Sequence, residues 1–244
     1  MIGISADKKG NIAQNYKNTI MKKYFLISLI LMFYTNINAH DLPRFGEFVK
    51  SYENLVGYCK FSKYTMNSFI STNNLGSYCK KDIENSNSSY LTDNQKTSLI
   101  DYYNNIGYIE GVYLSELSFG INFAKDSNGA ICIYAGSYFY SVTYNTNRTT
   151  ELDRAKDAIN SAIIPILQKG GKSLTDIGYD YVMIGMGYLK KHPQQTSEEG
   201  AAVYCIIPTK YIESFISLEI TSDELIKNSK VYLKDVGDIK LINL

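Results

Sequence analysis

The residues best able to do chemistry in this 244-residue chain are four cysteines, Cys59, Cys79, Cys132 and Cys205, and one internal histidine, His192. The cysteine spacings fit no C-x-x-C redox or zinc pattern, and the only histidines are His40 and His192, so structural bridging is favoured over metal or thiol chemistry. An even number of cysteines in an oxidising compartment reads instead as two disulfides, although four cysteines permit three connectivities. The preferred pairing is Cys59 with Cys79 and Cys132 with Cys205. These close loops of about 20 and about 73 residues, and chain entropy assigns them roughly 3 and 4.5 kcal/mol. His192 stands beside Pro193 at the end of an apolar stretch, where a histidine capping a helix C-terminus is favoured over a catalytic base. Glu110 and Glu116, six residues apart, fall on different sides of a helix and read as solvated charges. Gly185-Met186-Gly187 lacks the spacing of a phosphate loop, and no H-E-x-x-H or G-x-S-x-G occurs. The chain is therefore read as non-enzymatic, with no metal and no cofactor.

The oxidising compartment is inferred from the start of the chain. Met21-Lys22-Lys23, an apolar run from Tyr24 to Tyr34, and a polar stretch closing on Ala39 have the order of a secretory signal peptide. The run is about half of the roughly 20 residues a bilayer span needs, so cleavage after Ala39 is expected and no membrane span afterwards. The organisation predicted is an upstream extension over 1–20, with translation starting at Met21, a leader over 21–39, and one periplasmic domain over 40–244. Removing residues 1–39 takes away five Lys and one Asp, leaving a net charge of about −3 and no basic block. Nucleic acid is excluded as a partner on that ground. The 22 tyrosines and absence of tryptophan match an A+T-rich genome, so the tyrosine count alone marks no binding face.

The elements that must position these residues are read from periodicity. Phe45, Phe48, Val49, Tyr52, Leu55, Val56 and Cys59 predict an amphipathic helix over 43–60. Residues 71–90, rich in Ser and Asn, read as a loop needing a staple at Cys79. Thr92-Asp93-Asn94-Gln95 is a capping box opening a long helix to Gly120, in which Gly107 and Gly111 imply close approach of a neighbour. Ala130–Ala135 reads as extended chain, and the alternation of Tyr138, Tyr140, Val142 and Tyr144 as a strand or a Tyr-rich loop. A helix behind Thr149-Thr150 is predicted to bend at Pro165 and stop at Gly170-Gly171. Further helices are predicted over 174–191 and 197–206, and the tail from Lys210 mixes an amphipathic stretch with strand-like segments at 230–233 and 239–242. The fold expected is mainly α, a disulfide-stapled helical domain with a small β element.

Tyr108–Val112 with Ile131–Ile133, and Tyr188–Gln194 with Ala201–Tyr204, are two blocks that resemble the Rap/Tai-type immunity proteins of type VI secretion systems. Tyr108-Ile109-Glu110-Gly111-Val112, followed by Ile131-Cys132-Ile133, is similar to that family's Y-I-x-G-V helix and cysteine-bearing strand. Tyr188-Leu189-Lys190-Lys191-His192-Pro193-Gln194, then Ala201-Ala202-Val203-Tyr204, is similar to its Y-L-x-x-H-P-E and A-A-x-L-V helical pair. Together the blocks span residues 91–208. Tyr134 replaces the family's Pro after the Cys-Ile pair, about 40 residues are inserted between the blocks, and Cys205 comes early. The resemblance implies a small helical periplasmic protein, often a homodimer, that binds and blocks a peptidoglycan-cleaving amidase effector, with Tyr108, Gly111, Tyr188, His192 and Pro193 as its motif residues. Tyr138, Tyr140 and Tyr144 are the contact residues expected of such an inhibitor, since tyrosines offer large contact area with little rotamer entropy to lose. The alternative is an envelope factor acting on or near peptidoglycan itself, needed for stress resistance or virulence in a host.

Overall fold

The computed structural model describes residues 53–54, 70–72, 75–85, 91–114, 122–125, 130–235 and 238–244. The expected leader, the upstream extension and Cys59 lie outside this set. Of the helix expected over 43–60, only Glu53–Asn54 is described, and it is a short strand.

The architecture is a mostly antiparallel sheet combined with helices, α+β in class, which corrects the mainly helical expectation. Nine strands form one sheet. They are β1 (Glu53–Asn54), β2 (Ile70–Ser71), β3 (Val112–Leu114), β4 (Asn122–Lys125), β5 (Ile131–Asn145), β6 (Tyr181–Lys191), β7 (Glu199–Pro208), β8 (Lys230–Asp235) and β9 (Asp238–Ile242). The path through the sheet is β1-β4-β5-β6-β7-β8-β9, with β3 also on β5 and β2 on β3. Only β5 and β6 run parallel. Their crossover is helical: α3 (Glu151–Ala158), a π turn (Ile159–Ile163) and α4 (Ile164–Asp176). Before it come α1 (Leu75–Glu84) and α2 (Asp93–Ile106), and between β7 and β8 come α5 (Thr209–Ile216) and α6 (Ser222–Lys227).

The two largest corrections fall on β6 and β7, expected as helices. Both strands are interior to the sheet and buried along nearly their whole length, so Tyr181–Lys191 reads as a continuous apolar run without the alternation that marks a half-exposed strand. The signal for extended chain is Gly185. A Cβ there would sit 2.9 Å from Tyr134 Oη and 3.0 Å from Tyr204 Cε1, so the glycine makes room for rings from the strands on both sides. The motif pair expected as two helices is thus a β-hairpin, with His192 and Pro193 in its turn.

Gly170 and Gly171 do not end the crossover helix either. A Cβ on Gly170 would lie 2.6 Å from Cδ2 of Tyr102 on α2, and one on Gly171 3.0 Å from Cγ2 of Ile216 on α5. The pair lets α2 and α5 close on α4 from two sides. Pro165 falls at the start of α4, just after the π turn, so the helix continues through it to Asp176. The capping box at Thr92 and Gln95 is present, but α2 stops at Ile106 because Gly107 turns to φ 56°. The loop expected over 71–90 contains α1.

The main core lies between the helices and one face of the sheet. Ile133, Ala135 and Tyr138 of β5, Ile184 and Met186 of β6, and Val203 and Cys205 of β7 meet Leu99, Ile106, Ile163 and Leu167 there. The opposite face carries a smaller cluster that includes Cys132, Tyr134, Met183, Tyr204 and Tyr232. Strand β5 reaches fifteen residues only by bulging: Tyr134 to Ser137 spans the same stretch of β6 as Met183 to Gly185. Gly136, at φ 127°, occupies that bulge.

This topology overturns the second disulfide. Cys132 belongs to one face and Cys205 to the other, and β6 lies between their strands. Two strand spacings put their backbones roughly 10 Å apart, whereas a bridge needs Cα atoms within about 7 Å. Both thiols are free and buried. Cys79 is buried on α1, and its expected partner Cys59 lies outside the described residues.

Candidate protein-contact loop

The segment joining α2 to β3 presents one aromatic ring on a backbone that is fastened along its length. Gly107 and Gly111, at φ 56° and 70°, adopt the left-handed conformation that glycine accepts without a Cβ penalty. Between them Tyr108 is 57 % exposed, and Ile109 turns inward to the core. The Ile109 amide donates to Oγ1 of buried Thr72 at 3.1 Å, and Lys169 Nζ on α4 donates to the Tyr108 carbonyl at 2.7 Å. The Val112 amide donates to the Ile109 carbonyl at 3.1 Å, and the Ser141 amide of β5 to the Gly111 carbonyl at 2.8 Å. A side chain at Gly111 would meet Ser141 Oγ at 3.2 Å. Tyr108 and Gly111, singled out by sequence as motif residues, therefore act together: one is displayed and the other lets its loop lie flat on β5.

The other tyrosines expected at a contact surface are placed inside. Tyr138 is buried, its hydroxyl 2.7 Å from that of Tyr102, and burial holds both phenols well above their usual pKa. Tyr144 is buried, donates to Asp157 Oδ2 at 2.6 Å, and packs edge-on against Tyr188 with ring centroids 5.2 Å apart. Burial lifts Tyr188 to about 12. Tyr140 is half-buried against the core. The alternation that identified the strand is the alternation that buries its tyrosines.

His192 is not a helix cap. In the β6–β7 turn its Nδ1 accepts from the Gln194 amide at 3.3 Å, and its carbonyl accepts from the Gln195 amide at 2.9 Å. Burial raises the Cys132 and Cys205 thiols to about 12, which keeps both neutral at physiological pH. Among the described residues no three His, Cys, Asp or Glu side chains gather in a way that could hold a metal ion. No family model, curated protein or solved structure matches the chain.

A second polar assembly went unseen in the sequence. At the carboxyl end of β6, Lys190 Nζ stands 2.5 Å from Asp235 Oδ1 and 3.3 Å from Glu199 Oε2. Arg154 of α3 approaches Asp235 Oδ2 at 3.9 Å and donates through Nη1 to the Thr149 carbonyl at 2.7 Å. Lys240 of β9 pairs with Glu151 at the start of α3. Lys190 and Glu199 are cross-strand partners in the hairpin register, so their pairing is visible only once that hairpin is known. Arg154, Lys190 and Asp235 are largely buried, and their charges are spent on one another. This assembly ties α3 directly to β8 and β9, and through Asp235 and Lys190 to β6 and β7.

Proposed function

We propose that this chain is a non-enzymatic binding protein whose Tyr108 loop is an anchor for a protein partner. The observation that carries the reading is the contrast within that loop: the backbone is hydrogen-bonded to α4, β5 and Thr72, while the Tyr108 ring is left to solvent. A ring held in place before contact loses little freedom on binding, and a tyrosine combines large apolar area with a polar tip. Among the described residues, the side chains singled out for chemistry are otherwise engaged. His192 accepts a turn amide, both described free thiols are neutral in the interior, and the charged cluster is internally paired.

The partner class we propose is a peptidoglycan-cleaving effector met in the periplasm. Its support is the signal-like leader and the Ile131–Ile133 segment, which is a strand as the resemblance implies; the Tyr108–Val112 block is a loop and the start of β3 where the resemblance implies a helix, and adds nothing. The Tyr188–Gln194 block likewise adds nothing, because that segment forms a strand and turn and not the family's helix.

The test uses the chain expressed with its own leader, purified from the periplasm, and incubated with periplasmic extract or with purified peptidoglycan. Retention of a peptidoglycan-cleaving protein by the wild type, weakened by Tyr108→Ala, is the expected result. Sedimentation with peptidoglycan and no protein retained would replace this reading with an envelope-integrity role.

A further inference from the structure

Helix α5 ends in a Schellman motif: the Leu218 amide donates to the Phe215 carbonyl at 3.1 Å and the Glu219 amide to the Ser214 carbonyl at 2.9 Å. That geometry requires a left-handed residue after the cap Ser217, a position where glycine is the usual occupant. Here it is Leu218, at φ 63°, the one non-glycine with positive φ among the described residues. The strain of a Cβ in this conformation is normally offset by packing, but Leu218 is 88 % exposed and gains none. Helix termination would be served better by glycine, so it does not account for the leucine. The segment that carries it is acidic between Lys210 and Lys227. From Tyr211 to Ile226 the chain carries Glu213, Glu219, Asp223 and Glu224 and no Lys or Arg, and all four acids are exposed.

We propose that the α5–α6 turn is a second protein-contact point, in which Leu218 enters an apolar pocket of the partner whose rim carries Lys or Arg. A strained, solvated leucine is explained if its side chain is buried in the bound state, and the exposed carboxylates of its segment, Glu219 next to it, favour a cationic rim by charge complementarity. The same carboxylates repel an anionic bilayer surface, which sets a lipid target aside. The inference deepens the binding reading above and rests on it for the existence of a partner.

The test is titration of the full exported chain with the protein it retains from periplasmic extract, alongside vesicles of phosphatidylglycerol. Leu218→Gly removes the side chain and relieves the backbone, so it should melt no lower than the wild type and yet bind at least ~10-fold more weakly. Leu218→Ala keeps the strained conformation and should lose affinity similarly. Glu219→Lys should weaken binding further at low salt than at high salt. If Tyr108→Ala weakens binding and both Leu218 variants bind as the wild type does, the turn is not a contact and the binding reading survives. If nothing is retained by the wild type, both fall. Leu218-dependent adsorption to the vesicles would overturn the protein partner in favour of lipid.

Discussion

The Tyr108 loop and the charged assembly at the end of β6 are built on opposite terms. In the loop, polar backbone groups are satisfied within the chain and an apolar-bodied ring is left outside. In the assembly, Arg154, Lys190 and Asp235 are taken out of water and set charge against charge, with Arg154 Nε left without a hydrogen-bond partner. The first arrangement leaves something to offer a partner, and the second holds helix α3 to the sheet. Polar residue type alone is therefore a poor guide in this chain: the charged residues that look most reactive are paired within the scaffold, and the proposed anchors are a tyrosine and a leucine.

Removing Asp235 should separate the two regions most sharply. Asp235→Ala leaves buried Arg154 with no carboxylate and Lys190 with only the more exposed Glu199, and breaking a buried pair from one side costs about 3–5 kcal/mol. The melting temperature should fall steeply, whereas partner affinity, measured below that temperature, should not change. A variant as stable as the wild type would mean that the assembly is solvated and does not act as a tie.

A smaller loss is expected from Gly170→Ala. The added methyl meets the Tyr102 ring at 2.6 Å, and overpacking of this kind costs about 1–3 kcal/mol. Denaturant midpoints of the two proteins compare this directly. Nearer the loop, Thr72→Val removes the acceptor for the Ile109 amide and leaves a buried donor, a penalty of about 1–3 kcal/mol. Faster amide exchange at Ile109 together with weaker partner binding would show that fastening of the loop matters for recognition.

High pH probes the interior. The folded state holds Cys132 and Cys205 at about 12 against an ordinary value of 9.0, and Tyr188 at about 12 against 10.0, in each case through burial. Raised values mean that the unfolded chain releases these protons first. The stability they contribute is whole below pH 9 and declines as the pH climbs from 9 towards 12. Urea midpoints should fall over that window, and the two thiols should resist a thiol reagent at pH 8 until denaturant is added. Rapid native-state labelling of both would contradict their burial.

What could be read from the sequence divides along physical lines. Local hydrogen-bond logic was legible in part: the capping box at Thr92 and Gln95 is present, and the helix expected behind Thr149-Thr150 starts there, on a Thr150–Asp153 box that only the structure reveals. The strand over Tyr138–Tyr144 and the closing strands β8 and β9 were legible from alternation and β-branched content. Strands β6 and β7 were not, because a strand covered on both faces loses its period and resembles a buried helix. Glycine was misread in both directions. Gly107 and Gly111 were placed inside a helix and instead bracket a loop, whereas Gly170 and Gly171 were taken as a stop and instead seat two neighbouring helices. The disulfide pairing of Cys132 with Cys205 failed because parity across a sheet cannot be seen before the sheet is known. Tyr108 was found through its motif, but its exposure was not. Leu218 gave no sequence signal, since its significance lies in a backbone angle.

The central claim is that Tyr108 serves recognition and not the fold. It is tested most directly by measuring, in one series, the melting temperature and the partner affinity of the wild type and Tyr108→Ala. A solvated side chain outside the core changes stability by no more than about 0.5 kcal/mol. A central aromatic anchor is worth at least about 2 kcal/mol of binding, or some thirty-fold in affinity. The account predicts an unchanged melting temperature with that loss of affinity. A variant that binds as tightly as the wild type, or one that loses affinity only because it no longer folds, would contradict it.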